Sequence, residues 1–194
     1  MKSSKYHLLT LILTVGIVKT DVVGDFPFCT KYNNPGLDFG GSKPVSYRLE
    51  SLRSNQADVG EYFNGRFYVN PEAFGPTWIS FKPVGEYAQG EEYRVVVFSD
   101  RVYVGVIGKS DCGTFLPNNM TNWFPVDIVL KQSGLVQVSL NDDEEPLECS
   151  LPGMSDNPPK FLEMKGIDSE QKEISVFYDC WIAEGDENNE VEKI

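Results

Sequence analysis

Histidine is all but missing from this chain. Its 194 residues hold one, His7, and that residue lies in an N-terminal stretch with the marks of a secretory leader. Lys2 and Lys5 precede the apolar run from Leu8 to Val18, which is too short to cross a bilayer comfortably. Cleavage after Thr20, giving a leader of residues 1–20, or as late as Gly24, leaves a mature chain with no histidine. Ser-His-Asp and Cys-His nucleophiles and histidine metal ligands are thereby excluded. Positive charge is also scarce. Three of the 17 lysines and arginines (Lys2, Lys5, Lys19) depart with a leader cut at Thr20, while all 29 acids stay, so the net charge moves from −12 to −15. A surface of that sign repels phosphate backbones and anionic lipid, so no nucleic-acid partner is expected. No later apolar run is long enough for a membrane span, and no convincing amphipathic helix follows a strand to build a phosphate-cradling loop. The expected product is an exported, extracellular chain that acts as a monomer.

Cysteine is sparse but even in number: Cys29, Cys112, Cys149 and Cys180. In an exported chain these read as two disulfides rather than free thiols, and four cysteines permit three pairings. If the first and last strands of the fold lie side by side, Cys29 pairs with Cys180 and Cys112 with Cys149. Two such bridges stabilise a fold by about 4–8 kcal/mol together.

What the chain has in abundance is short runs of β-branched and aromatic residues. Tyr93 to Phe98 and Val102 to Ile107, separated by Ser99-Asp100-Arg101, form a hairpin signature. Val95 and Val97 point one way and Val96 and Phe98 the other, so the first of these strands is expected to lie centrally, covered on both faces. Residues 25–44 read as a Gly-, Pro- and Asn-rich arm. Val45, Tyr47 and Leu49 then alternate with polar residues as in a half-buried strand. Asn64-Gly65, between Glu61-Tyr62-Phe63 and Arg66-Phe67-Tyr68-Val69, predicts a type I′ hairpin turn. Thr77 to Phe81 is a strand, and residues 110–122 are a long connection. Phe124 to Lys131 and Leu135 to Leu140 pair across Ser133-Gly134. Residues 141–159 read as acidic loop, Phe161 to Met164 as a short strand and Glu173 to Ile182 as the closing one. About ten short strands at regular spacing predict an all-β, single-domain β-sandwich of jelly-roll type over residues 25–183. An acidic tail, 184–194, has no core pattern and is expected to be disordered.

Few residues offer chemistry. The acidic run Asp142, Asp143, Glu144 and Glu145 follows a strand and reads as a solvated loop, with calcium as the cation its oxygens would suit. No other cofactor is implied. Catalysis would have to use paired carboxylates, as in glycoside hydrolysis. Asn119-Met120-Thr121 is an N-glycosylation sequon. Beside it, Trp123 and Phe124 could offer an aromatic platform to a ligand, or belong to the core. Trp78 and Trp181 fall within strand patterns and are assigned to the core.

The order of Trp123-Phe124, Asp127-Ile128-Val129-Leu130, a glycine turn, Val136-Gln137-Val138, a loop with Pro146 and the closing run Ile174 to Phe177 resembles the arthropod farnesoic acid O-methyltransferase-like domain across Phe67 to Tyr178. The resemblance implies a sandwich related in shape to lectins. It implies no methyl transfer, since no Gly-rich donor loop is present, and no site residue carries over. The combined expectation is a secreted, non-enzymatic binding protein whose loops meet a glycan or an extracellular protein. The alternative is a salivary, venom or defence effector that blocks a basic target through salt-sensitive association. A carboxylate-based glycoside hydrolase is the third reading.

Overall fold

The computed structural model describes residues 29–34, 45–84, 91–106, 112–116, 120–141, 145–151, 153–166 and 174–180. The expected leader, Asn119, the run 142–144, Trp181 and residues 184–194 lie outside them. Strands β1 (Thr30–Asn34), β2 (Tyr47–Arg48), β3 (Glu61–Val69), β4 (Thr77–Lys82), β5 (Tyr93–Val97), β6 (Arg101–Val106), β7 (Cys112–Phe115), β8 (Phe124–Lys131), β9 (Leu135–Leu140), β10 (Leu147–Ser150), β11 (Phe161–Gly166) and β12 (Ile174–Tyr178) build two six-stranded antiparallel sheets. The first sheet runs β1-β12-β3-β8-β9-β10 and the second β2-β11-β4-β5-β6-β7. The only α-helix among the described residues is the single turn α1 (Pro71–Phe74), capped by Asn70 Oδ1 accepting from the Ala73 amide.

Alternation fills the space between the sheets. Phe63 and Phe67 of β3 meet Phe81 of β4, with Phe63 at 5.9 Å from Phe67 and 5.1 Å from Phe81 between ring centres. Val126, Ile128 and Leu130 of β8, Val136 and Val138 of β9, Val95 and Val97 of β5 and Leu162 and Met164 of β11 are all buried in the same core. Each fully buried side chain of this size stabilises the fold by about 1.5–3 kcal/mol. Tyr93 also points inward, and its hydroxyl lies 3.0 Å from Asn157 O and 3.1 Å from both Gly153 O and Glu91 Oε2. Burial first, then the Glu91 carboxylate, pushes the Tyr93 hydroxyl well above the ordinary tyrosine value, so it stays a donor that pins the 153–157 loop.

β1 and β12 are neighbours, and the disulfides are Cys29–Cys180 and Cys112–Cys149. The first bridge closes a separation of 151 residues within one sheet. The second, spanning 37, joins β7 to β10, the edge strands of opposite sheets. β5 is an interior strand with β4 and β6 on either side, and Val96 is buried on its outer face.

Several expectations give way. Asn64-Gly65 makes no turn. β3 runs straight through it, pairing Asn64 with Val129 and Gly65 with Ile128. The glycine serves packing instead: a Cβ at Gly65 would stand 2.6 Å from Phe63 Cζ, so its absence lets that ring fold back over the strand. The reversal comes earlier, at Gly60, whose φ of 94° only glycine adopts without strain. The strand read from Val45 to Leu49 shrinks to Tyr47–Arg48 followed by a 3-10 turn at Leu49–Ser51, and Val45 is 47% exposed. β1, β7 and β10 are strands where arm or loop was expected, because each is a short edge strand whose pattern alone does not announce it.

Candidate ligand-binding face

The outer face of the second sheet carries the densest chemistry of the described molecule. On β4, Thr77, Ile79 and Phe81 face the core, so Trp78, Ser80 and Lys82 face out. Register then places Glu163 beside Ser80 and Arg94, and puts Lys165, Trp78, Val96, Tyr103 and Gly113 in one row across five strands.

The floor of this face is a closed charge network. Glu163 is 1% exposed and accepts from Ser46 Oγ and Lys82 Nζ. Glu92 accepts from Ser80 Oγ at 2.6 Å and Lys165 Nζ at 3.0 Å, with Lys82 Nζ 3.9 Å away. Burial alone would raise the Glu92 carboxyl, but the Ser80 and Lys165 hydrogen bonds and the Lys165 and Lys82 charges outweigh it and hold the group below its ordinary value. An acid that is buried, ionised and saturated with donors is poor at giving up or taking a proton. A hydrolytic pair needs both carboxyls open to substrate, and these two are buried and engaged by serine and lysine donors.

Above the floor lie rings and cations. Lys165 Nζ and the Arg94 guanidinium sit 4.7 and 5.0 Å from the Trp78 ring centre. Trp78 is therefore an outward, half-buried residue and not the core residue its strand pattern suggested. Further along, the Tyr103 ring lies across Gly113, where a Cβ would stand 2.4 Å from Tyr103 Cδ1. Phe98 meets Tyr103 edge-on at 5.8 Å and 88°. Arg101 stands 4.9 Å from the Phe98 centre and 5.9 Å from that of Tyr103, within cation–π range of both. The Phe98 amide donates to Arg101 O at 2.8 Å, closing the turn that holds the three side chains together. Phe115, 71% exposed, lies opposite Arg101 on the edge strand β7.

The residues singled out from the sequence are not brought together in this way. Phe124 is 3% exposed and faces the core, so it offers no ring to a ligand. Trp123 is half-buried with the first sheet instead, its ring 4.9 Å from Phe177 and 5.5 Å from Phe74. Asn119, Asp142, Asp143 and Glu144 are outside the described residues, among which no group of three or more acidic, histidine or cysteine side chains is placed to hold a metal ion. Sequence reading passed over Tyr103 as a candidate. The usable signal was the alternation of Arg101 and Tyr103 with Val102 and Val104. A separate groove of about 750 Å³ opens between Leu49, Tyr62, Pro83, Pro159 and Phe161.

No family model and no curated protein matches the chain. Among solved structures it is similar to sheep galectin-11 in complex with glycerol, at 11% identity and a TM-score of 0.49 over 70% of this chain and 93% of that one. It is also similar to Caenorhabditis elegans galectin LEC-6, at 14% identity and 0.46 over 76% and 94%. A further similarity, to beta-fructofuranosidase from Schwanniomyces occidentalis, stands at 10% identity and 0.42 over 77% of this chain and 32% of that one. At these values the likeness transfers no site and no activity. The resemblance to the farnesoic acid O-methyltransferase-like domain has no matching family model behind it.

Proposed function

We propose that this chain is a secreted, non-enzymatic binding protein that seats a glycan on the outer face of its second sheet. The observation that carries the reading is Tyr103, held across Gly113 and hemmed by Phe98 and Arg101. A pyranose ring has an apolar C–H face that stacks on an aromatic ring and a rim of hydroxyls that accept from N–H donors. A fixed aromatic beside a guanidinium meets both needs, and little rotamer freedom is lost on binding. The apolar leader and the two disulfides support export. The sequon at Asn119 would then be glycosylated, and calcium at Asp142, Asp143 and Glu144 would be a separate feature of the loop after β9.

The test is a glycan-array screen of disulfide-bonded protein, wild type against Tyr103→Ala, run with calcium and with chelator. Reproducible binding that disappears in Tyr103→Ala supports the platform. Binding unchanged by that substitution, or a blank array, sinks it. A second reading, an effector that docks on a basic protein, draws on the net charge of −12 and the exposed Phe115 of an edge strand without charged residues. It expects association with an extracellular protein that weakens as salt rises.

A further inference from the structure

Two polar atoms on this face have no acceptor, Trp78 Nε1 and Arg101 Nε, and the second belongs to a charged group. Arg101 Nε is shut off from water and makes no hydrogen bond, and its ion-pair partner, Asp100 Oδ1, stands at 3.6 Å, beyond hydrogen-bond reach. The other cations nearby are differently placed. Lys82 and Lys165 are engaged by the buried carboxylates of Glu163 and Glu92. The Arg101 side chain keeps 37% exposure although its Nε is sealed, so the rest of the side chain meets solvent. Its guanidinium rests against two aromatic rings. An arginine held by stacking keeps its in-plane N–H groups for a partner, and those groups match the paired oxygens of a carboxylate or a sulfate.

We propose that Arg101 is the specificity-determining residue of the Tyr103 platform and that it selects an anionic glycan, one whose sugar carries a carboxylate or sulfate. This inference rests on the glycan-binding reading. The Tyr103 ring takes the apolar face of the sugar, and Arg101, 5.9 Å from the ring centre, meets an acidic substituent at the sugar's edge. Glu92 and Glu163 do not oppose this anion, because lysines neutralise them beneath the surface; the carboxylate it must displace is Asp100, 3.6 Å from Arg101 Nε and beyond hydrogen-bond reach. The chain's net charge of −12 repels polyanions at long range. Selection therefore comes from contact at one arginine rather than from a basic field.

The experiment is isothermal titration of the folded, disulfide-bonded protein with three hexasaccharides: neutral chitohexaose, carboxylate-bearing chondroitin, and chondroitin sulfate. Wild type, Arg101→Gln and Tyr103→Ala are compared, with thermal unfolding of each as a folding control. The expected result is tighter binding of the acidic sugars by wild type. Arg101→Gln should lose about tenfold or more for those sugars, the worth of one charge-assisted hydrogen bond, and weaken chitohexaose far less, because the glutamine amide still donates to sugar hydroxyls. Tyr103→Ala should lose all three. Equal affinity for neutral and acidic sugars, or acidic binding intact in Arg101→Gln while Tyr103→Ala is inactive, overturns the role of Arg101 and leaves the platform standing. Binding that survives Tyr103→Ala, or no binding to any of the three, overturns both.

Discussion

The two sheets of this sandwich share one alternating pattern and turn very different faces outward. On the first, Arg66 and Asp127 form a bidentate pair at 2.7 Å with both side chains more than a quarter exposed, Gln137 donates to Glu148 at 2.6 Å, and Lys31 sits 5.7 Å from the Phe177 ring centre. These are pairwise surface contacts, and each can be lost without stranding its partner in the dry. On the second sheet the polar groups go under, with Glu163, Ser80 and Glu92 all buried, and rings and cations form the layer above them. Alternation settles which residues point out. What they do there depends on whether neighbours on three or four strands complete one another.

The largest expected break in that comparison is Glu163→Ala. It leaves Lys82, 22% exposed, next to a hole instead of a carboxylate, and should cost about 3–5 kcal/mol in chemical denaturation. Arg66→Ala, its counterpart on the first sheet, should cost about 1 kcal/mol or less. Equal losses would erase the distinction between the faces. Next comes packing. Gly65→Ala sets a methyl group against the buried Phe63 ring and should cost about 1–3 kcal/mol. Gly113→Ala sets its methyl group against both the Tyr103 ring and the Val102 carbonyl oxygen, so it should cost about 1–3 kcal/mol of stability and lower glycan affinity as well.

Acid sharpens the contrast further. The Glu92 carboxyl is held below its ordinary value of 4.5 in the fold. Its contribution is whole above that value and drains away as pH falls through the lower folded value. Stability against urea should therefore drop on acidification below about pH 4.5, and Glu92→Gln should flatten part of that slope.

How much of this the sequence disclosed follows from the range of each interaction. The hairpin of β8 and β9 and that of β5 and β6 are local, and their alternation announced them. The Cys29–Cys180 bridge followed from assuming that the first and last strands lie side by side, which β1 and β12 do, although the β1 segment itself had read as an arm. Asn64-Gly65 misled because the dipeptide has two physical uses, a positive-φ turn and a bare patch of strand for a ring, and only packing against Phe63 distinguishes them. β7 and β10 are four residues each, too short for periodicity to register. The candidate face was the least legible. Tyr103 meets Gly113 across a strand pair, and Glu163 meets Lys82 at a separation of 81 residues, so neither partner hints at the other along the chain. Trp78 looked like core because its neighbours do; nothing local reveals that its side of β4 is the outer one.

The bridge between Cys29 and Cys180 has a mechanical meaning. Every described strand lies inside the loop it closes. Tension applied before Cys29 and after Cys180 would pass through one covalent bond and bypass the sheets. Anything tethered through either flank could pull without drawing the strands apart or disturbing the face that carries Tyr103, and that load path would be cut only by reducing the disulfide.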